Sequence, residues 1–287
     1  MHMHPLRLSL FALLLLAVFG MSGEAEALNE VTQLHGINEA WGDYGYGRGV
    51  TIAILDTGID ASHVGLDDID DNILTWDRKV VAYYDARVDV LYAGGQSLDS
   101  GTHGTHVAGI VAGTGDGDTA SGGQRYIGVA PEAELINVLV CCDDFEDIIR
   151  GMEWVIANKD EFGIRVALIA FSIEDLGFNL SDSNISAFRN ASKSLVESGI
   201  VLVGPAGNEF GSITGDGYSS VGILGSIDEV ITVGALDKDM SLATYSAKGP
   251  TDHGTIKPNV AAIGSSIMAP DKGSFTGYTS KSGTSMS

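Results

Sequence analysis

The chain has 287 residues, with 16 Lys plus Arg against 38 Asp plus Glu and a net charge of −22. That balance disfavours nucleic acid as a partner, because phosphate recognition needs clustered cations. An acidic, solvated surface suits an exported protein and points to no specific acidic interaction.

The first element in chain order is a targeting segment. Arg7 and nearby histidines give a weakly basic start, Leu8 to Met21 is almost wholly apolar, and Ala25-Glu26-Ala27 supplies a small-residue cleavage site. Residues 1–27 read as a secretory signal peptide, which leaves 28–287 as one domain of a secreted, extracellular protein. No later apolar run is long enough to cross a bilayer.

Beyond it, short Val/Ile/Leu-rich runs alternate with longer amphipathic stretches. Strands are expected at Val50–Leu55, Lys79–Tyr84, Glu134–Val140, Val166–Ile173, Ile200–Gly204 and Val230–Gly234. They are continuous rather than alternating, as strands buried on both faces are. Helices are expected at His103–Gly113, Phe145–Asn158 and Ser183–Ser198, the last capped by Ser183. Strand–helix alternation implies a mostly parallel sheet with helices on both faces. Catalytic residues then belong at the carboxyl ends of strands. Sequons at Asn179, Asn184 and Asn190 mark an exposed segment. The two cysteines, Cys141 and Cys142, are adjacent. Neighbours rarely reach disulfide geometry without strain, so two thiols at a strand end are expected, with a vicinal redox pair as the alternative.

Four positions carry chemistry. Asp56 ends a buried strand and precedes Thr57-Gly58, where a partly desolvated carboxylate can hold a histidine Nδ1 proton. The bland reading is an Asp that caps a turn. His103 opens a helix of Gly, Thr, Val and Ala that can lie tight on a sheet, which places an imidazole to act as general base. His106, three residues on, has no third ligand to make a metal site and reads as a packing histidine. Asn208 follows a strand on a Gly-Asn turn, where its amide can stabilise an oxyanion or simply shape the turn. Ser285 sits in Gly283-Thr284-Ser285-Met286, two residues before the chain ends. Asp, His, Ser is one of the known chain orders of the serine-protease triad.

In that order, these residues resemble a known family. Asp56-Thr57-Gly58-Ile59-Asp60, His103-Gly104-Thr105-His106-Val107-Ala108-Gly109, Gly128-Val129-Ala130-Pro131, Ala206-Gly207-Asn208-Glu209, Tyr245-Ser246-Ala247-Lys248-Gly249-Pro250 and Gly283-Thr284-Ser285-Met286 are similar to the motifs of the subtilisin-like serine proteases, or subtilases. The resemblance runs from about Gly45 to the last residue. It implies a three-layer α/β/α sandwich around a mostly parallel sheet, incomplete at the C-terminus. It further implies a triad of Asp56, His103 and Ser285, an oxyanion donor in Asn208, and substrate contacts at Ser172, Ile173, Glu174 and Gly207. The implied reaction is peptide-bond hydrolysis through an acyl-enzyme, by a monomer acting on proteins or peptides with no cofactor required for chemistry.

The chain also departs from the family pattern. Relatives continue past the serine into a long buried helix, which two residues cannot form, so a fragment that is unstable or inactive by itself is expected. Only a short stretch separates Ala27 from the first strand, where secreted relatives carry a folding propeptide. The substrate strand reads Ser172-Ile173-Glu174-Asp175 in place of a Gly-containing segment. With Asp143 and Asp144, it suggests a cleft that prefers basic or polar side chains; the bland alternative is a loop into solvent. The position matching a family calcium ligand is Gly65, which leaves structural calcium unsupported there, although Asp67–Asp71 and Asp116–Asp118 are oxygen-rich.

Two rival readings remain. Asp56-Thr57-Gly58 and Asp99-Ser100-Gly101-Thr102 both look like half-motifs of an aspartic protease, but they lie too close in sequence for two β-rich lobes. A truncated pseudo-protease acting as a binding module is the other.

Overall fold

The structure, a computed structural model, describes residues 28–70, 74–75, 77–117, 125–141, 144–173, 180–208 and 220–287; the expected targeting segment lies outside them. Two short helices, α1 (Leu28–Leu34) and α2 (Ile37–Tyr44), come first, and neither was expected from periodicity. The order continues β1 (Thr51–Asp56), β2 (Gly58–Asp60), β3 (Val80–Asp85), β4 (Val90–Ala93), β5 (Ser97–Asp99), α3 (His103–Ala112), β6 (Glu134–Leu139), α4 (Phe145–Phe162) and β7 (Ile164–Ile169). It closes with α5 (Asp182–Glu197), β8 (Val201–Pro205), β9 (Ile231–Leu236), β10 (Val260–Ile263), β11 (Ile267–Pro270) and β12 (Tyr278–Lys281).

Eight strands form one sheet in the order β10-β9-β8-β7-β1-β6-β3-β4. Every neighbouring pair is parallel except β3 with β4, which makes an antiparallel edge. All six residues of β1 are buried, which is why its sequence reads as an unbroken apolar run up to Asp56. Its side chains still alternate between faces. Ala53 and Leu55 join Ile148, Met152 and Phe188 in one core, and Ile52 and Ile54 join Val107, Ala108 and Met286 in the other. Helices α4 and α5 therefore cover one face, and α1 and α3 the other, giving three layers.

Local chemistry sets the ends of the long helices. Asp144 caps α4, its side chain accepting from Glu146 N at 3.0 Å, and Gly163 at φ 66° ends it. The helix runs four residues beyond the expected Asn158. The cap of α5 is Ser181 rather than Ser183; it accepts from Asn184 N at 3.2 Å while the Asn184 side chain takes the Ser181 N–H, a reciprocal capping box. Asn184 is thus engaged as a cap, Asn190 is exposed, and Asn179 lies outside the described residues.

The chain enters the sheet at β1, adds β3 and then β6 on one side, and crosses to β7 on the other. The strand order reverses at β1. Parallel sheets open a crevice above the carboxyl ends at such a point, and Asp56 is the last residue of β1. No helix among the described residues is long and apolar enough to cross a membrane.

Candidate active site

The crevice is a cavity of about 530 Å³ at those carboxyl ends. Asp56 follows from β1, Cys141 from β6, Ala170 to Ser172 from β7, and Pro205 and Asn208 from β8; His103, Lys281 and Ser285 complete the wall.

Asp56 is 1% exposed, and its Oδ1 accepts the Thr57 backbone N–H at 2.7 Å. Both carboxylate oxygens stand 2.9 Å from His103 Nδ1. His103 is the first residue of α3, a helix whose small residues are nearly all buried. Gly104 shows why size matters: a Cβ there would lie 2.1 Å from the Gly58 carbonyl oxygen, so any larger residue would push the helix off the sheet. The other ring nitrogen, Nε2, lies 3.0 Å from Ser285 Oγ. With Asp56 taking the Nδ1 proton, Nε2 is the acceptor and the Ser285 hydroxyl donates.

Burial works against a charged His103 ring, but the charge and hydrogen bond of Asp56 outweigh it. Lys281 opposes the imidazolium, Asp99 adds to it, and the net result is a pKa above the ordinary 6.5. If His103 works as a neutral base, activity is lost as pH falls through that raised value. The acid limb of kcat/KM should therefore be centred above 6.5. A pH–rate profile with its acid midpoint below that value would contradict this electrostatic picture.

Ser285 sits on a turn closed by Met286 N donating to Gly283 O at 3.0 Å, not at the start of a helix. The turn is tied down from both sides. Gly283 N donates to Gly264 O at 3.0 Å, and Met286 is buried in the apolar layer under α3. Thr284, 2% exposed, links it to Asn208: Thr284 N donates to Asn208 Oδ1 at 2.8 Å, Thr284 Oγ1 donates to the same oxygen at 3.0 Å, and Gly207 N donates to Thr284 Oγ1 at 3.2 Å. Holding Oδ1 in this way makes Nδ2 the free end of the amide, beside the Ser285 turn.

The other sequence-derived positions fall out differently. Ser172 lines the cavity. Ile173 is fully buried in the core beneath α4 and α5, where its side chain packs inward. Gly207, at φ 114°, positions Asn208 through Thr284. Glu174, Asp175 and Asp143 lie outside the described residues, and Asp144 is spent on the helix cap. His106 is a packing histidine: fully buried, it donates through Nε2 to the Ile267 and Thr279 carbonyls at 3.1 Å, and burial lowers its pKa to about 4.

Gly65 brings no side-chain ligand, and its carbonyl accepts from Thr114 N at 3.1 Å. Among the described residues no cluster of three or more His, Cys, Asp or Glu could hold a metal. Cys141 is disulfide-bonded instead of a thiol. Sequence reading missed Cys141 and Lys281 as cavity residues and Thr284 as the link to Asn208. Only Thr284 carried a cue, its place beside Ser285.

Comparison with known proteins bears on the family and the fold. A family model described as "Subtilase family" matches residues 47–287. "Serine protease AprX" of Bacillus subtilis is 31% identical over 78% of this chain, and "Subtilisin DY" of Bacillus licheniformis is 31% identical over 84%. The chain spans 48% of the first relative's length and 73% of the second's. Among solved structures, the CspB protease of Clostridium perfringens superposes with a TM-score of 0.72 at 18% identity, over 90% of this chain and 83% of that one. Sphericase does so at 0.64 and 26%, over 88% and 78%.

Proposed function

The chain belongs to the subtilase family, and from that premise we propose that it is a serine endopeptidase with Asp56, His103 and Ser285 as its triad. The reading rests on one observation, the unbroken hydrogen-bond run from Asp56 through His103 to Ser285.

The steps follow from that run. His103 Nε2 takes the Ser285 proton as Oγ attacks the scissile carbonyl carbon. The Oγ–C bond forms, and the carbonyl π pair moves onto oxygen. Asn208 Nδ2 donates to that oxyanion. Asp56 holds the Nδ1 proton and stabilises the imidazolium. His103 then gives its proton to the leaving amine nitrogen as the C–N bond breaks, which leaves an acyl ester on Ser285. Water, deprotonated by the same ring, hydrolyses the ester and restores the hydroxyl. The substrate is a protein or peptide and the enzyme a monomer.

The test is a serine-reactive phosphonate incubated with the full chain, read by mass spectrometry of the labelled peptide alongside hydrolysis of a fluorogenic peptide. Labelling at Ser285 that stops hydrolysis is expected. Hydrolysis insensitive to the reagent but blocked by a pepstatin-type inhibitor would replace the reading with an aspartic mechanism. Removal of the Asn208 donor should lower kcat by ~10²–10³ with KM little changed, the scale found for the oxyanion donor of subtilisin. An Asn208→Ala variant with wild-type kcat would put the oxyanion donor elsewhere.

Export rests on residues 1–27. A secreted product whose first residue lies at or near Leu28 is expected from N-terminal sequencing; a product retained in cells with Met1 intact would refute it.

A further inference from the structure

The Asp99-Ser100-Gly101-Thr102 segment matched a half-motif of another protease class, and the mechanism above makes no use of it. Asp99 is 8% exposed, and among the described residues no cation lies within ion-pair distance. Its carboxylate is instead saturated by neutral donors. Oδ1 accepts from Thr57 Oγ1 at 2.7 Å and from Gly101 N at 2.8 Å. Oδ2 accepts from Thr105 N at 3.2 Å and from Thr105 Oγ1.

Those donors flank the proposed catalytic pair. Thr57 follows Asp56, and its Oγ1 accepts from the N–H of Gly104, the residue after His103, at 3.0 Å. Thr105 lies two residues past His103, and its Oγ1 accepts from Asp60 N at 2.9 Å. The Thr57 carbonyl accepts from Ser100 N at 2.7 Å and Ser100 Oγ at 2.9 Å. Antiparallel pairing of β2 with β5 puts Gly58 opposite Asp99. One buried carboxylate thus joins the turn after Asp56 to the first turn of α3. The Thr57 hydroxyl also bridges the two sides, through Gly104 N, and Asp99 is the acceptor that orients it.

We propose that Asp99 is a positioning residue that holds Asp56 and His103 at their working separation and adds negative charge near the imidazole. This rests on the triad reading given above. An amide cannot replace the carboxylate. Its NH2 would face either the Gly101 N–H or the Thr105 N–H, and in each orientation one backbone donor loses its acceptor.

The test is Asp99→Asn, with kcat, KM and the pH profile measured together. A fall in kcat of roughly 10²-fold at nearly constant KM is expected, the usual consequence of misplacing a catalytic group by about an ångström. The charged groups facing His103 are Asp56 from β1, Asp99 from β5 and Lys281 from β12, while His106 on its own helix is kept neutral by burial. Losing the Asp99 charge should therefore move the acid limb to lower pH. Unchanged kcat and acid limb in a folded Asp99→Asn protein would reduce Asp99 to a plain structural strap and overturn the proposal.

If that variant does not fold, Thr57→Val cuts the link to Gly104 while leaving Asp99 three donors, with Thr57→Ser as the rescue. Loss of kcat in the first and recovery in the second are expected; equal activity in both refutes it. A further readout does not depend on turnover. In a Ser285→Ala background, the His103 ring titrated by NMR should lose its proton at lower pH when Asp99 is also Asn. An unshifted titration counts against the proposal, whereas a folded wild-type chain whose Ser285 is not labelled counts against the triad reading instead.

Discussion

Ser285→Ala should lose about 10⁶-fold in kcat on a peptide substrate, the scale measured in the relative subtilisin when the nucleophile or base is removed. The size follows from the division of labour. In the proposed mechanism the hydroxyl at 3.0 Å from His103 Nε2 forms the acyl bond, and among the described residues no other hydroxyl is hydrogen-bonded to that nitrogen. His103→Ala should cost about as much, and the double variant little more, because base and nucleophile act as one unit. Folding should be untouched. Among the described residues, the Ser285 side chain has its hydrogen bond to His103 and a 3.3 Å contact with the Met286 sulfur. Thermal unfolding and kinetics on the same preparation separate the two effects. Retention of more than a percent of wild-type kcat by folded Ser285→Ala would mean that another group is the nucleophile.

Gly58→Ala should be among the most damaging small substitutions for stability near the site. Gly58 has φ 118°, a region that L side chains rarely adopt, and a Cβ would stand 2.2 Å from Leu98 O and 2.6 Å from Asp99 Cα. Backbone strain and overpacking together put the cost at about 2–4 kcal/mol. The clash lands on the pairing of β2 with β5, so the turn holding Asp56 should shift and kcat should fall as well. Gly254→Ala is the control. Its φ is 84°, but nothing lies within 4 Å of the added carbon, so strain alone applies and the loss should be about 1–2 kcal/mol. Denaturant unfolding of both variants checks the difference. Equal losses would show that the close approach to β5 is unimportant.

How far the sequence could be read depended on how local the cause was. β1 was legible because a strand buried on both faces must be apolar throughout, and its end at Asp56 follows from the Asp-Thr-Gly turn. The start of α3 at His103 was legible from the run of small residues. The short elements were not. β2, β5, β11 and β12 are three or four residues long, and they exist because partners distant in sequence offer hydrogen bonds, as Ile267 does opposite Lys281. β4 is exposed along its whole length and carries no burial pattern to recognise. Ser183 and Ser181 are equally good caps by residue type. Asn184 favours Ser181, because only from there can it return a bond to the cap backbone.

The site divides the same way. Residue types and chain order named Asp56, His103, Ser285 and Asn208, because the chemistry of acyl transfer admits few side chains and each sits in a recognisable local turn. Sequence alone also carried the acidic charge balance and the expected targeting segment. Tertiary structure decided which groups meet: that Asp99 grips both Thr57 and Thr105, that Thr284 orients the Asn208 amide, that Ile173 turns into the core, and that Cys141 and Lys281 face the cavity. The reason is physical. A side chain's intrinsic chemistry belongs to its residue type, whereas its partners are set by strand order and register, which bring together residues scores of positions apart that no local pattern connects.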